Sequence, residues 1–138
     1  FASASWAPVY LVWGRDNRTC AFRVVGHGSG LRIENRLPGS DSNPYLAFAA
    51  VIAAGLDGIE RNIVPPEMFR GNAYEAQQFP RVPRTLYEAI ECWEKSDIAR
   101  RAFGEKVHAH FLNVARVEQQ SFDQSVTNWE RQRYFERG

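Results

Sequence analysis

Apolar positions recur at strand spacing near the start of the chain and at helical spacing after Asn43. Strands are expected over Val9 to Trp13, Thr19 to Val25 and Leu31 to Leu37. In the third, Leu31, Ile33, Asn35 and Leu37 fall on one face, apolar except for the asparagine. Arg32, Glu34 and Arg36 fall on the other at i, i+2, i+4. The glycine-rich stretch "GHGSG" over residues 26–30 suits a hairpin connection between the second and third strands. Antiparallel pairing of those strands would bring Arg18 and Arg23 to the same row and put four arginines around Glu34.

The rest reads as helix and loop. Asn43 is an N-cap with Pro44 at the first helical position, and the helix is expected to run to about Glu60. It is apolar all round from Leu46 to Ile59, so it should be buried in the core, and Gly55 suggests a close helix approach. Pro65, Pro66, Pro80 and Pro83 make residues 64–84 a loop long enough to cover something. A capping box at Thr85 to Glu88 opens a helix through about Lys95, and Ser96 starts another segment. Gly104 to Ser121 reads as an amphipathic helix with Val107, Phe111, Val114 and Val117 on one side. A second capping box, Thr127 to Glu130, opens a final helix whose Trp129, Tyr134 and Phe135 suit packing or subunit contacts. The fold class is α+β: an antiparallel hairpin or sheet portion, strand-rich over 1–40, then a buried helix over 43–60, a loop over 61–84 and a helical remainder over 85–138.

Composition adds bounds. The 138 residues, 44% hydrophobic, can build one core. Seventeen basic against sixteen acidic side chains leave a net charge of +1, so bulk electrostatics favour neither a nucleic-acid nor a membrane partner, and any anion site must be local. The longest apolar run, Leu46 to Leu56, falls short of the roughly 20 residues that span a bilayer. Cys20 and Cys92 have no CxxC spacing, which suits reduced, buried thiols in a cytoplasmic protein. The opening "FASASWAPVY" has neither a basic stretch nor an initiator methionine, so it reads as an internal cut and the chain as a fragment or processed piece.

Two readings of the arginine row stay open. Guanidinium groups are always charged and match two-oxygen acceptors, so they can clamp phosphate or carboxylate, while a lone acid among them could hold a metal. The same row could instead be a cross-strand salt-bridge ladder contributing about 0.2–1 kcal/mol per pair. Surplus positive charge favours a bound anion. His108 and His110, two apart in a helix, point to different faces and make a poor metal pair, better read as surface histidines. His27, in the glycine-rich connection, could touch a phosphate or simply be solvated. Neither a Ser-His-Asp arrangement nor a GxGxxG or GxxxxGKS phosphate loop appears.

Three motifs in order, "DNRTCAFRV", "RIENRLPG" and "NPYLAFAAVIAAGLDGI", resemble the glutamine synthetase family, most strongly from Ala7 to Ile59. "GNAYE" and "VPRTLYEAI" fit its later helical part, and "NWERQRYFER" resembles a branch other than the ammonia-using enzymes. The resemblance implies the C-terminal portion of a catalytic domain whose N-terminal domain is absent from these residues. It implies that Arg18 and Arg23 face the nucleotide phosphates and the transferred phosphoryl group, that Arg32 lines the nucleotide, that Glu34 is a ligand of Mg²⁺ or Mn²⁺, and that Arg36 contacts the glutamate substrate. Hard cations want oxygen ligands, and phosphoryl transfer needs positive groups where charge accumulates.

In that family ATP phosphorylates the γ-carboxylate of glutamate, and a nitrogen nucleophile displaces phosphate to form an amide. Ammonia-using members present an acidic residue on a flap that takes a proton from ammonium. Aligning the flap-like "ASASWAPVY" places Trp6 there, and indole cannot accept that proton but can offer a π face to a larger amine. A ligase joining an amine to glutamate is therefore expected, with a true glutamine synthetase or a catalytically inactive structural or regulatory relative as alternatives. The resemblance also implies a homo-oligomer, a double ring by family habit. These residues alone should be inactive, because they hold neither the remaining carboxylate ligands nor the N-terminal domain that closes each site.

Overall fold

Residues 9–12 and the segment from Phe69 to Val82 lie alongside each other in a computed structural model that describes residues 6–135 and 137. Ala2 to Ser5 of the flap-like stretch lie outside the described residues. The chain divides into two compact units, one up to Arg84 and one from Thr85 onward.

In the first unit, three short strands form a sheet in the order β1 (Trp13–Arg15), β2 (Phe22–Val25), β3 (Arg32–Asn35). The expected antiparallel hairpin is present: β2 and β3 pair with Arg23 opposite Glu34 and Val25 opposite Arg32. The strand expected over Val9 to Trp13 is displaced. β1 begins at Trp13 and joins β2 in parallel, so the sheet is mixed within an α+β fold. Consecutive parallel strands usually need a crossover of a dozen or more residues, and here six suffice. Asn17 makes the tight path possible, because its Oδ1 accepts from the backbone N–H (3.0 Å) and hydroxyl (2.7 Å) of Thr19, while its Nδ2 donates to the Gly71 carbonyl (2.9 Å).

Residues 9–12 are held by the later loop instead of by the sheet. Leu11 N–H donates to the Pro80 carbonyl and Val82 N–H to that of Val9, with a bridge between Tyr10 and Arg81. The loop expected over 64–84 is therefore also a packing element. Its Ala73 and Ala76 join Val9, Tyr10, Val12 and Cys20 in the core, with Phe69 and Phe79 meeting edge to face against it at 5.8 Å.

α1 spans Pro44–Glu60, capped as expected by Asn43, whose side chain accepts from the N–H groups of Tyr45 and Leu46. The expected burial is not met within this chain. α1 has no buried residue, and Tyr45, Phe48, Ile52, Leu56 and Ile59 are exposed. Nothing lies within 4 Å of a side chain built at Gly55, so the close approach inferred there is also absent among the described residues. An apolar helix needs a covering layer on every side, and these residues do not supply one.

The second unit holds α2 (Leu86–Glu94), α3 (Asp97–Phe103), α4 (Glu105–Asp123) and α5 (Asn128–Tyr134). Thr85, Ser96 and Thr127 cap α2, α3 and α5, and Thr127 and Glu130 bond reciprocally as a full capping box. α4 turns a different face inward from the one expected: His108 and Leu112 are buried, whereas Val107, Val114 and Val117 are exposed. His108 is accordingly no surface histidine. It is 1% exposed and stacks on Trp93 with ring centroids 5.3 Å apart. Its Nε2 lies 2.7 Å from the Trp93 carbonyl, and the Trp93 indole N–H donates to the His108 carbonyl at 3.0 Å. Cys92 is exposed, contrary to the expected burial of both thiols, while Cys20 is fully buried. No helix among the described residues is long and apolar enough to cross a membrane.

Candidate nucleotide and glutamate site

Strand pairing sets one row of the site. Gly14, Arg23 and Glu34 stand opposite one another across β1, β2 and β3, so the last two side chains share a face with no side chain beside them on β1. A β-carbon at position 14 would lie 2.9 Å from Cys20 Sγ and 3.1 Å from the Phe69 carbonyl, which leaves glycine as the residue that fits. At Gly26 the turn into the hairpin connection takes a φ of +83°, and a β-carbon would come within 2.1 Å of the Gly30 carbonyl oxygen.

Arg23 donates from Nη1 to Glu34 Oε2 (3.0 Å) and from Nη2 to Asp16 Oδ1. Arg32 donates to the other Glu34 oxygen at 3.3 Å. These bonds, led by that from Arg23, hold the Glu34 carboxyl below its usual range, and the charge of Arg36 adds to the effect against the opposing pull of burial. The Asp16 carboxyl is lowered mainly by its bond to Arg23. Burial pushes the Cys20 thiol up, so it stays protonated and unreactive.

The expected ring of four arginines around Glu34 is only half formed. Arg23 and Arg32 bond it, whereas Arg18 and Arg36 do not. Arg18 sits in the crossover between β1 and β2, outside the paired row, and lines a hollow of about 600 Å³ with Trp6, Arg15, Asp16, Asn17, Thr19 and Arg23. Arg36 lies just past β3, and its Nη2 donates to the backbone carbonyl of Trp6. Trp6 takes a positive φ of 60° and is 64% exposed, so its indole is available beside the arginine row. Sequence pairing missed Asp16, the second carboxylate on Arg23. An aspartate beginning a tight crossover is the signal that could have found it.

Among the described residues no group of three or more His, Cys, Asp or Glu comes together to hold a metal. Both oxygens of Glu34 already face guanidinium groups and Asp16 is paired with Arg23, so the described residues do not by themselves complete a site for a divalent cation.

The chain matches the glutamine synthetase catalytic domain over residues 1–134. It is 58% identical over 137 residues to gamma-glutamylethanolamide synthetase GlnA4 of Streptomyces coelicolor, covering 99% of this chain and 29% of that protein. It is 40% identical over 135 residues to type-1 glutamine synthetase 2 of Dictyostelium discoideum, covering 95% of this chain and 26% of the relative. A solved GmaS/ADP complex superposes with a TM-score of 0.84 at 31% identity, over 98% of this chain and 31% of the other. The chain thus spans under a third of the length of these relatives.

Proposed function

The chain belongs to the glutamine synthetase family, and we propose that it forms part of an ATP-dependent ligase that joins an amine to the γ-carboxylate of glutamate through γ-glutamyl phosphate. The observation that carries this reading is the Arg23–Glu34–Arg32 row with Arg36 beside it, in a chain 58% identical to a gamma-glutamylethanolamide synthetase.

Each side chain has a task in that reaction. Arg18 and Arg23 take phosphate oxygens of ATP, Arg32 lines the nucleotide, and Arg36 takes a carboxylate of glutamate. A γ-carboxylate oxygen of glutamate attacks the terminal phosphorus and ADP leaves, with Arg18 and Arg23 neutralising charge on the moving phosphoryl group. The amine nitrogen then attacks the acyl carbon, phosphate departs and the nitrogen loses a proton. Mg²⁺ or Mn²⁺, with Glu34 as one ligand, would screen the phosphate oxygens, its other ligands coming from outside these residues.

Trp6 favours an amine over ammonia. Its backbone carbonyl accepts from Arg36, the residue proposed for glutamate, and its exposed indole offers an incoming acceptor apolar and π surface but no base. A homo-oligomer completing the site and a cytoplasmic setting, which suits ATP and two free thiols, belong to the same reading.

Competition kinetics on the full-length protein test it. Phosphate release with ATP, glutamate and a panel of amines, ethanolamine included, is expected to exceed release with ammonium. Faster turnover with ammonium than with every amine would return the protein to the glutamine synthetases, whose match to this chain is also strong. No phosphate release with any acceptor would mark an inactive relative.

A further inference from the structure

Arg15 has no place in the roles above, yet it lines the same hollow as Arg18 and Arg23. It is the last residue of β1 and stands opposite Val24, so its side chain reaches the start of the hairpin connection just past β2. Its Nη2 lies 3.2 Å from His27 Nδ1 and 3.5 Å from the Gly26 carbonyl oxygen. A guanidinium is always protonated and can only donate, so the ring nitrogen facing it is the lone-pair nitrogen, and His27 carries its proton on Nε2.

The charge balance of the hollow gives this contact meaning. Arg23 pairs with Asp16 and Glu34, whereas Arg15 and Arg18 form no ion pair among the described residues, Arg18 acting on Asp16 only through its charge. Among the described residues that line the hollow, Asp16 alone carries a carboxylate. Neutral acceptors hold Arg15 by one amino group, which fixes the direction of its fork without cancelling its charge and leaves its other N–H groups to donate. Arg15 leaves β1 on the Val24 face at the end of the strand, yet it lines the same hollow as Arg18, and two guanidinium groups free of ion pairs around one hollow fit a phosphate-bearing ligand.

We infer that Arg15 is a further phosphate-binding residue of the nucleotide site and that His27 positions it. This rests on the ligase reading above and deepens it. Arg15 adds a donor to the phosphate chain beside Arg18. His27 touches no substrate and acts by limiting the rotamers of Arg15.

In the full-length protein, Arg15→Met is expected to raise the KM for ATP about tenfold or more, with kcat and the KM for glutamate little changed. ADP affinity by calorimetry should fall by a similar factor, and Arg15→Lys should recover part of it by restoring charge without the fork. His27→Ala should raise the same KM by less and add nothing in the Arg15→Met background, which a merely structural role would not reproduce. ADP affinity unchanged in Arg15→Met, beside a wild-type protein that binds ADP and turns over, overturns this inference alone. Full additivity of the two substitutions overturns the positioning role of His27. A wild-type protein that binds no ADP overturns both this inference and the ligase reading.

Discussion

Arg23 is the side chain on which the site turns, since it alone bonds both Asp16 and Glu34. Those carboxyl groups titrate lower in the folded chain than in an unfolded one, so as pH falls the unfolded chain takes up protons first. Their contribution is complete at neutral pH and is lost as pH drops through the lowered folded-state values. Arg23→Met should therefore lower the melting temperature most near neutrality, and its profile should converge on that of the wild type in acid. A constant offset across the pH series would refute this. The Arg23–Glu34 pair was legible because both residues sit in a short hairpin whose register the apolar face dictates. Arg18 and Arg36 were not legible in the same way. One sits in a crossover whose path depends on Asn17 reaching Gly71, and the other leaves the sheet to meet a backbone carbonyl thirty positions earlier.

Among the helices, local capping chemistry was readable and packing was not. Asn43, Thr85 and Thr127 each cap the helix they announce, since a cap needs only neighbours two or three residues away. The inward face of α4 depends on where α2 and α3 lie, and His108 was misread because its burial is set by Trp93 fifteen positions before it. That pair joins α2 to α4 through a ring stack and two side-chain-to-backbone bonds. His108→Ala removes the stack, leaves a cavity beside Trp93 and takes one of the donors from the Trp93 carbonyl, which keeps the Ser96 N–H, and it should cost about 2–4 kcal/mol, read as a lower midpoint of denaturant unfolding. His108→Gln keeps a donor and should recover part of the loss. An unchanged midpoint for the alanine variant would show that the stack contributes nothing. β1 was misplaced for a related reason: the apolar run from Val9 to Trp13 has strand composition, but its first half pairs with residues 80–82 instead of with the sheet.

For the molecule as a whole, α1 is the most conspicuous surface. Its exposed Tyr45, Phe48, Ile52, Leu56 and Ile59, with Ile63 and Val64 beyond, form apolar area of the kind that proteins cover. The isolated 138-residue chain is therefore expected to bind a dye specific for apolar surface, and Phe48→Lys combined with Ile52→Lys should cut that fluorescence by about half or more. Equal fluorescence from both proteins would place the exposed surface elsewhere. The all-round apolar pattern of α1 announced a helix that must be covered, but a pattern cannot say whether the cover comes from the same stretch of chain. The long reach of the bonds that anchor the first unit has a temporal side. Trp13 to Pro66, Asn17 to Gly71 and Thr19 to Ala73 each close a separation of 53 or 54 residues, and such closures slow folding. On the ribosome, the arginine hairpin can pair early, but the anchors of β1 and of the crossover must wait until the segment reaching Ala73 has emerged, so a nascent chain stalled before that point would carry the guanidinium forks without the segment that braces them.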